Sequence, residues 1–278
     1  MIEFKNVSAS YDDETPVVDG LSFQISDGDF VAFVGTNGAG KSTTMRLVNG
    51  LLKPTCGQVL IDGTPTTSLR TSQLAQRVGF LFQNPDRQIC CNTVRDELLF
   101  GFTAQGVDSA QAIPRVNEMI ERFGFDGDAE PFLLNRGTRQ LLALASIVVM
   151  RPPTIVLDEP TTGLDYRECT KVMDLISELH MAGTTVIMVC HDMEVVGDYA
   201  KRVIAMTASH IVADGPTFDV LRNSEVLQRA HLLPPQITDI SMKLTEDVPE
   251  LHQSSIACAD TLQQMEDAIA SRVEKEVR

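Results

Sequence analysis

Residues 35–43 read GTNGAGKST, with Gly35, Gly40, Lys41 and Ser42 at the fixed places of the pattern G-x-x-x-x-G-K-[ST]. The glycines, Gly38 among them, let successive backbone N–H groups turn inward around a polyphosphate, where a Cβ would obstruct. Lys41 brings a compact positive charge to the β/γ-phosphates, and the Ser42 hydroxyl is a ligand for Mg²⁺. Asn37, Ala39 and Thr43 complete the stretch. An apolar run over residues 30–34 precedes it, and a helical pattern (Met45, Leu47, Val48, Leu51) follows. That strand–loop–helix order suits the chemistry, because a helix N-terminus adds partial positive charge at the phosphates. The segment reads as a nucleoside triphosphate site.

Hydrolysis also needs a metal, a polarised water and charge stabilisation at the γ-phosphate. Residues 155–160 read IVLDEP, an apolar strand that delivers Asp158 and Glu159 at its C-terminal end, where open α/β sheets place their ligands. Asp158 is expected to hold Mg²⁺ through water, and Glu159 to orient or deprotonate the attacking water. A cap on the next helix is the other reading of two carboxylates at a strand end. Further on, Val189-Cys190-His191-Asp192 puts one imidazole at a strand end. A lone histidine is more often structural. The strand ahead of His191 is expected beside the phosphate loop, which favours a γ-phosphate contact.

The elements that must hold these residues are legible as periodicities. Residues 2–7 and 21–25 alternate like strands, 57–62 is a short strand closed by Asp62-Gly63, and 78–82 runs into Gln83-Asn84-Pro85, where proline ends it. From Thr93 to about Val149 the pattern is helical, with Val116, Met119, Ile120 and Phe123 on one face and a later helix from Leu141. Strands return at 155–157, 185–189 and 203–206, separated by helices at 170–181 and 193–200. Late alternation of strand and helix predicts a parallel α/β core, the early meander an antiparallel edge, and the middle block (about 84–150) an inserted helical subdomain. Residues 229–278 read as an extension ending in the stripe Leu262, Met265, Ile269, Val273 and Val277. Periodicity assigns that stripe equally to a docking or dimer face and to a surface helix packed on the core.

With 278 residues and 43% hydrophobic content, the chain can bury a full core. Lysine and arginine number 23 against 38 aspartates and glutamates, a formal charge of −15 that disfavours gripping a nucleic-acid backbone. No run of about eighteen apolar residues appears, so no membrane span is expected. The N-terminal MIEFKNVSAS shows no charged-then-apolar leader. Six cysteines lack C-x-x-C spacing and clustered histidines, so reduced thiols without a metal site are expected.

The order Tyr11, GTNGAGKST, Gln83, a signature-like segment at 134–140, IVLDEP, TTGLD and CHD resembles the ATP-binding subunit of an ABC transporter, over about residues 2–220. The resemblance implies a P-loop cassette over residues 1–228, using ATP and Mg²⁺ and working as a homo- or heterodimer. By position it implies that Tyr11 stacks on adenine, although an ordinary strand aromatic fits as well. It implies that Gln83 reaches Mg²⁺ and the attacking water, against a purely structural amide. Asp165 would communicate across the dimer interface, and His191 would be the switch histidine. Residues 82–88 (FQNPDRQ), 150–152 (MRP), 213–217 (ADGPT) and 233–236 (LPPQ) are similar to segments of the energy-coupling-factor ATPases. Those drive uptake of vitamins or of cobalt and nickel ions. Their ATPase pair docks on a transmembrane coupling subunit at the cytoplasmic face, and a separate membrane protein captures the substrate. The groove around Thr93–Leu99, with Asp96 and Glu97, would then receive a coupling helix, or would be a solvated helix face.

One segment departs from that family. Where the signature is L-S-G-G-Q, this chain has Leu134-Asn135-Arg136-Gly137-Thr138. The helix after it, from Leu141, is expected to face the γ-phosphate held by the other subunit. Asn135 is a good helix cap and Gly137 keeps the backbone approach open, while Arg136 adds a side chain. Two other functions compete with this one. A soluble ABC-type ATPase acting on nucleic acid or ribosomes usually fuses two cassettes or carries coiled-coil insertions, and neither is present here. A non-hydrolysing regulatory cassette conflicts with intact Glu159 and His191.

Overall fold

The structure, a computed structural model, describes residues 1–12 and 15–276. In chain order it begins with strands β1 (Ile2–Ala9), β2 (Val18–Ile25) and β3 (Phe30–Gly35), then helix α1 (Lys41–Val48), β4 (Cys56–Ile61), β5 (Thr64–Pro65), α2 (Thr71–Leu74) and β6 (Val78–Leu81). Three helices follow, α3 (Val94–Ala104), α4 (Ser109–Phe123) and α5 (Arg136–Val148). The chain then alternates through β7 (Thr154–Asp158), α6 (Tyr166–Met181), β8 (Thr185–Val189), α7 (Met193–Tyr199), β9 (Arg202–Thr207) and β10 (His210–Pro216). It ends in α8 (Thr217–Leu221), α9 (Ser224–Ala230), α10 (Gln236–Asp247) and α11 (Leu262–Glu276).

Two sheets form the scaffold, a six-stranded one ordered β10-β9-β3-β8-β7-β6 and a four-stranded one ordered β2-β1-β4-β5. In the larger sheet β9, β3, β8, β7 and β6 pair in parallel, and only β10 runs antiparallel to its neighbour. The meander was expected as an edge. It is present as a separate antiparallel sheet, in which β1 and β2 bury alternate residues against a second layer.

Strand β3 is buried along its whole length, and its alternate residues feed two cores. Phe30, Ala32 and Val34 join the helical block, with Leu98, Leu142, Val172 and Ile176. Val31 and Phe33 join the small sheet and α1, with Phe4, Phe23, Met45 and Leu47. A fully buried side chain of this size contributes about 1.5–3 kcal/mol, so the strand is pinned in register from both sides. Residues Leu251, Ile256, Ala259, Met265 and Ala268 form a third core inside the C-terminal extension. The last stripe is therefore divided. Met265 packs inward, Leu262, Ile269 and Val273 are exposed, and Val277 lies outside the described residues.

Candidate functional site

Strand register brings the chemistry to one sheet edge. Phe33 of β3 and Asp158 of β7 both pair with Val189 of β8, while Leu81 of β6 pairs with Leu157. The segments that leave these strands, Thr36–Gly40, Glu159, His191 and Gln83, therefore emerge side by side. Gly35 is required where β3 ends. Its φ is 128°, and a Cβ there would lie 1.9 Å from the Met206 carbonyl oxygen of β9. Gly40, at φ 97°, passes so close to Val18 that a Cβ would sit 2.5 Å from its Cγ1.

Lys41 opens α1 with its side chain folded back, Nζ donating to the carbonyls of Gly35 and Thr36 at 2.8 Å each. Burial lowers its pKa, and the nearby charges of Glu159 and Asp158 oppose that shift. Its neighbour Ser42 donates from Oγ to Asp158 Oδ1 at 3.0 Å. Asp158 is only 6% exposed. Burial raises its pKa against the Ser42 hydrogen bond, Glu159 raises it further, and Arg46 and Lys41 lower it. A hydroxyl and a buried carboxylate that share a hydrogen bond are an all-oxygen donor pair suited to a hard cation, so these residues fit Mg²⁺.

Glu159 is the hub. Its Oε2 accepts from Gln83 Nε2 at 2.8 Å and from Thr162 Oγ1 at 3.0 Å, and its Oε1 lies 3.1 Å from His191 Nε2. The residue sits at φ 53°, a conformation that costs a non-glycine residue about 1–3 kcal/mol unless its surroundings fix it. Here they do, through these three side chains and the Glu159 amide, which donates to Val189 O at 3.0 Å. Thr162 belongs to the TTGLD segment, yet its hydrogen bond to Glu159 was not foreseen. The spacing i, i+3 was its only trace in the sequence.

Tyr11 is 57% exposed, and its hydroxyl meets Thr43 Oγ1 at 3.3 Å and accepts from Arg46 at 2.8 Å. The aromatic thus borders the loop, tethered through the first turns of α1. Asn37 and Gly38 line the same mouth as Lys41 and Ser42, and Ala39 is buried beneath it. A cleft of about 900 Å³ continues from Gly35, Asn37, Glu159 and His191 to Leu233 and Pro234 of the extension.

The signature-like segment holds a correction. Helix α5 starts at Arg136, five residues before the apolar repeat that predicted Leu141, because its first turn is polar and Asn135 caps it by accepting from Thr138 N–H at 2.8 Å. Gly137 lies within the helix against Glu168, whose Oε1 would be 1.8 Å from a Cβ there. Arg136 folds onto its own subunit's 161–164 loop, donating to Thr162 O at 3.3 Å beside Gly163. Asp165 caps α6 in a reciprocal pair with Glu168.

The groove expectation is corrected as well. Glu97 is 3% exposed, and its Oε2 accepts the backbone N–H groups of Cys90 and Cys91 at 2.9 Å each, so it is committed internally. Val94 and Leu98 are core residues, and Asp96 alone of the acidic pair faces solvent. The open groove lies one turn further along α3, a cavity of about 510 Å³ lined by Phe100, Gly101, Ala104, Leu51, Phe82 and Met150. Among the described residues no helix is long and apolar enough to cross a membrane.

Residues 18–162 match the family model described as ABC transporter. An energy-coupling factor transporter ATP-binding protein, EcfA, of Methanothermobacter thermautotrophicus is 37% identical over 248 residues, which cover 88% of this chain and 80% of that one. EcfA2 of Acetivibrio thermocellus is 36% identical across 91% of each chain. A longer protein of Caldanaerobacter subterraneus, named for ABC transporter ATP binding, is 39% identical, and the match covers 88% of this chain but only 43% of that protein. Among solved structures, cbiO1 of Clostridium perfringens, part of the ABC transporter complex cbiONQ, superposes with a TM-score of 0.73 at 27% identity, covering 90% of this chain and 96% of that one. The cassette MJ0796, solved as a post-hydrolysis dimer bound to ADP and Pi, has a TM-score of 0.69 at 28% identity, covering 78% of this chain and 99% of that one.

Proposed function

The chain belongs to the ABC transporter family of ATP-binding proteins, similar to its energy-coupling-factor members, and we propose that it is the peripheral motor of such an importer on the cytoplasmic face of a membrane. Membership makes it an ATPase. In this reading residues 1–228 are the cassette and 229–278 an extension, and a second ATPase completes a dimer that ATP closes. The dimer pulls on a transmembrane coupling subunit, while a separate membrane protein captures a vitamin or a cobalt or nickel ion. The runner-up, action on nucleic acid or ribosomes, gains no support from relatives named for transport or from a charge of −15.

The observation that carries this reading is Glu159 held between His191, Gln83 and Thr162 at the mouth of the phosphate loop. When triphosphate enters, the backbone of residues 35–43 cradles it, and Lys41 exchanges the Gly35 and Thr36 carbonyls for phosphate oxygens. Ser42 and Asp158, with Gln83 nearby, would hold Mg²⁺, which would supply charge neutralisation at the phosphates. Glu159 accepts a proton from the attacking water or orients it, and His191 fixes the carboxylate and contacts the γ-phosphate. Tyr11 stacks on adenine. Asn135 and Gly137 complete the ATP held by the partner, and Asp165 sits at the interface between the two subunits. The groove along α3, with Phe100 and Leu51 half exposed, supports docking of an apolar coupling helix.

Glu159→Gln is expected to keep ATP binding, cut turnover by at least about 100-fold and trap an ATP-bound dimer on size exclusion. Turnover near wild type removes Glu159 from its role. For docking, Phe100→Asp should lose co-purification with a co-expressed membrane subunit while ATPase of the isolated chain stays within about twofold, a scale under 0.5 kcal/mol. Unchanged co-purification and unchanged uptake remove the groove along α3 from docking, and a wild-type chain that fails to co-purify with any membrane subunit overturns the membrane assignment.

A further inference from the structure

The loop after Gln83 brings together two thiols and a buried carboxylate that the ATPase chemistry does not use. We propose that Cys90, Cys91 and Glu97 form a site for a soft divalent cation of the Zn²⁺ class. One ligand atom from each, two Sγ and one carboxylate oxygen, lie within 4.8 Å of one another. Tetrahedral zinc with Zn–S near 2.3 Å sets its ligands about 3.7 Å apart, so the trio is nearly assembled and needs only side-chain rotation to close.

Three further observations favour a cation over an inert cluster. Glu97 is almost wholly buried, and no lysine, arginine or histidine forms an ion pair with it among the described residues. Buried carboxylates ordinarily find a cation or a metal. The Cys90 and Cys91 amides that hold Glu97 Oε2 fix the carboxylate's orientation, as the outer hydrogen bonds of metal ligands do. Cys90 is exposed and Cys91 half-buried, which leaves an entry path and one coordination position for water or a partner's donor.

Donor chemistry separates this site from the nucleotide site. Two thiolates select Zn²⁺ or Cd²⁺, whereas the oxygens of Ser42 and Asp158 select Mg²⁺. Glu97 precedes Gly101 by one turn of α3, so a bound cation would stiffen the helix that lines the apolar groove. The site stands on its own geometry and does not depend on the transport reading.

The test is a titration of the full chain with Cd²⁺ in a non-thiol reductant, followed by thiolate-to-metal charge-transfer absorbance. One equivalent should saturate the band, Zn²⁺ should displace it and excess Mg²⁺ should not. The Cys90→Ser, Cys91→Ser double variant should lose the band while its circular dichroism and ATP binding match wild type. Glu97→Gln, which still offers an acceptor to both amides, should weaken Cd²⁺ at least tenfold. Absence of the band at one equivalent overturns the proposal, and so does its persistence in the double serine variant. Wild-type affinity in Glu97→Gln removes the carboxylate from the site and overturns the three-ligand assignment.

Discussion

Replacing Asn135 by Ser and Arg136 by Gly restores the first half of the family signature, and the structure lets the outcome be worked out. Asn135 contributes a single cap, to Thr138 N–H, and serine caps about as well, so that half of the change is neutral to within a few tenths of a kcal/mol. Arg136 contributes one long, exposed hydrogen bond to Thr162 O, worth about 1 kcal/mol. That bond steadies the loop whose Thr162 hydroxyl holds Glu159. In the proposed dimer the signature also faces the partner's ATP, where a recovered charge-assisted contact is worth roughly 1.5–3 kcal/mol. Subtracting the lost bond leaves about 0.5–2 kcal/mol, a rise of about twofold to thirtyfold in ATPase of the isolated chain. Glycine in the first turn of α5 lowers Tm slightly, since it costs about 1 kcal/mol in a helix. Steady-state ATPase at saturating ATP reads the result. In a heterodimer, inactivating the partner's catalytic glutamate separates the two sites, and only the site on the partner's phosphate loop should respond. A change below about twofold in both settings, under 0.5 kcal/mol, means that the native segment already works as a signature and refutes the reasoning.

Two further outcomes follow from buried carboxylates. Asp158→Asn should abolish turnover yet raise the Tm of the nucleotide-free chain at neutral pH. The native carboxyl has its pKa raised by burial, so the stability it contributes is present below its unfolded value and lost as pH rises through its folded value. The gain of the asparagine variant should therefore vanish on acidification, and a lower Tm than wild type at neutral pH contradicts the assignment; scanning fluorimetry across pH decides. Asp96→Ala should leave Tm unchanged, whereas Glu97→Ala removes the acceptor of two part-buried amides and should cost about 1–2 kcal/mol in urea denaturation; equal stability of the two variants contradicts the burial of Glu97.

The parts of the site written in consecutive residues were legible. The phosphate loop, Asp158-Glu159 and His191 each sit directly after an apolar strand, and sheet register then forces them together. What was missed depends on contacts between distant residues or on elements without apolar periodicity. Strand β10 carries no fully buried residue and alternates weakly, so its pairing with β9 left little trace in the sequence. Apolar periodicity marks the start of α5 late because a capped polar first turn has no hydrophobic repeat. Glu97 reads as a surface acid in a helix's first turn, since its partners are main-chain groups of an irregular loop six and seven residues earlier. The cysteines looked unconnected for the same reason.

The extension bears directly on the catalytic edge. Arg222, just after α8, donates to Asp260, to the carbonyls of Ala257 and Ala259 and to Ser241, and Thr238 donates to the same Asp260. One guanidinium thus ties α10 and the segment before α11 to the cassette. At the other end, the Gln236 amide at the start of α10 donates to Glu194 at 2.7 Å, three residues after His191. Asp192 caps α7 between them by accepting from Glu194 N–H. The chain from His191 through α7 to α10 is therefore a short, hydrogen-bonded strut, and Leu233 and Pro234 form the far wall of the cleft that His191 lines. A backbone shift at His191 that carried the start of α7 along would strain the Glu194–Gln236 bond. The extension is hydrogen-bonded to the segment that carries His191, and under the proposed function a shift of that segment would reach it.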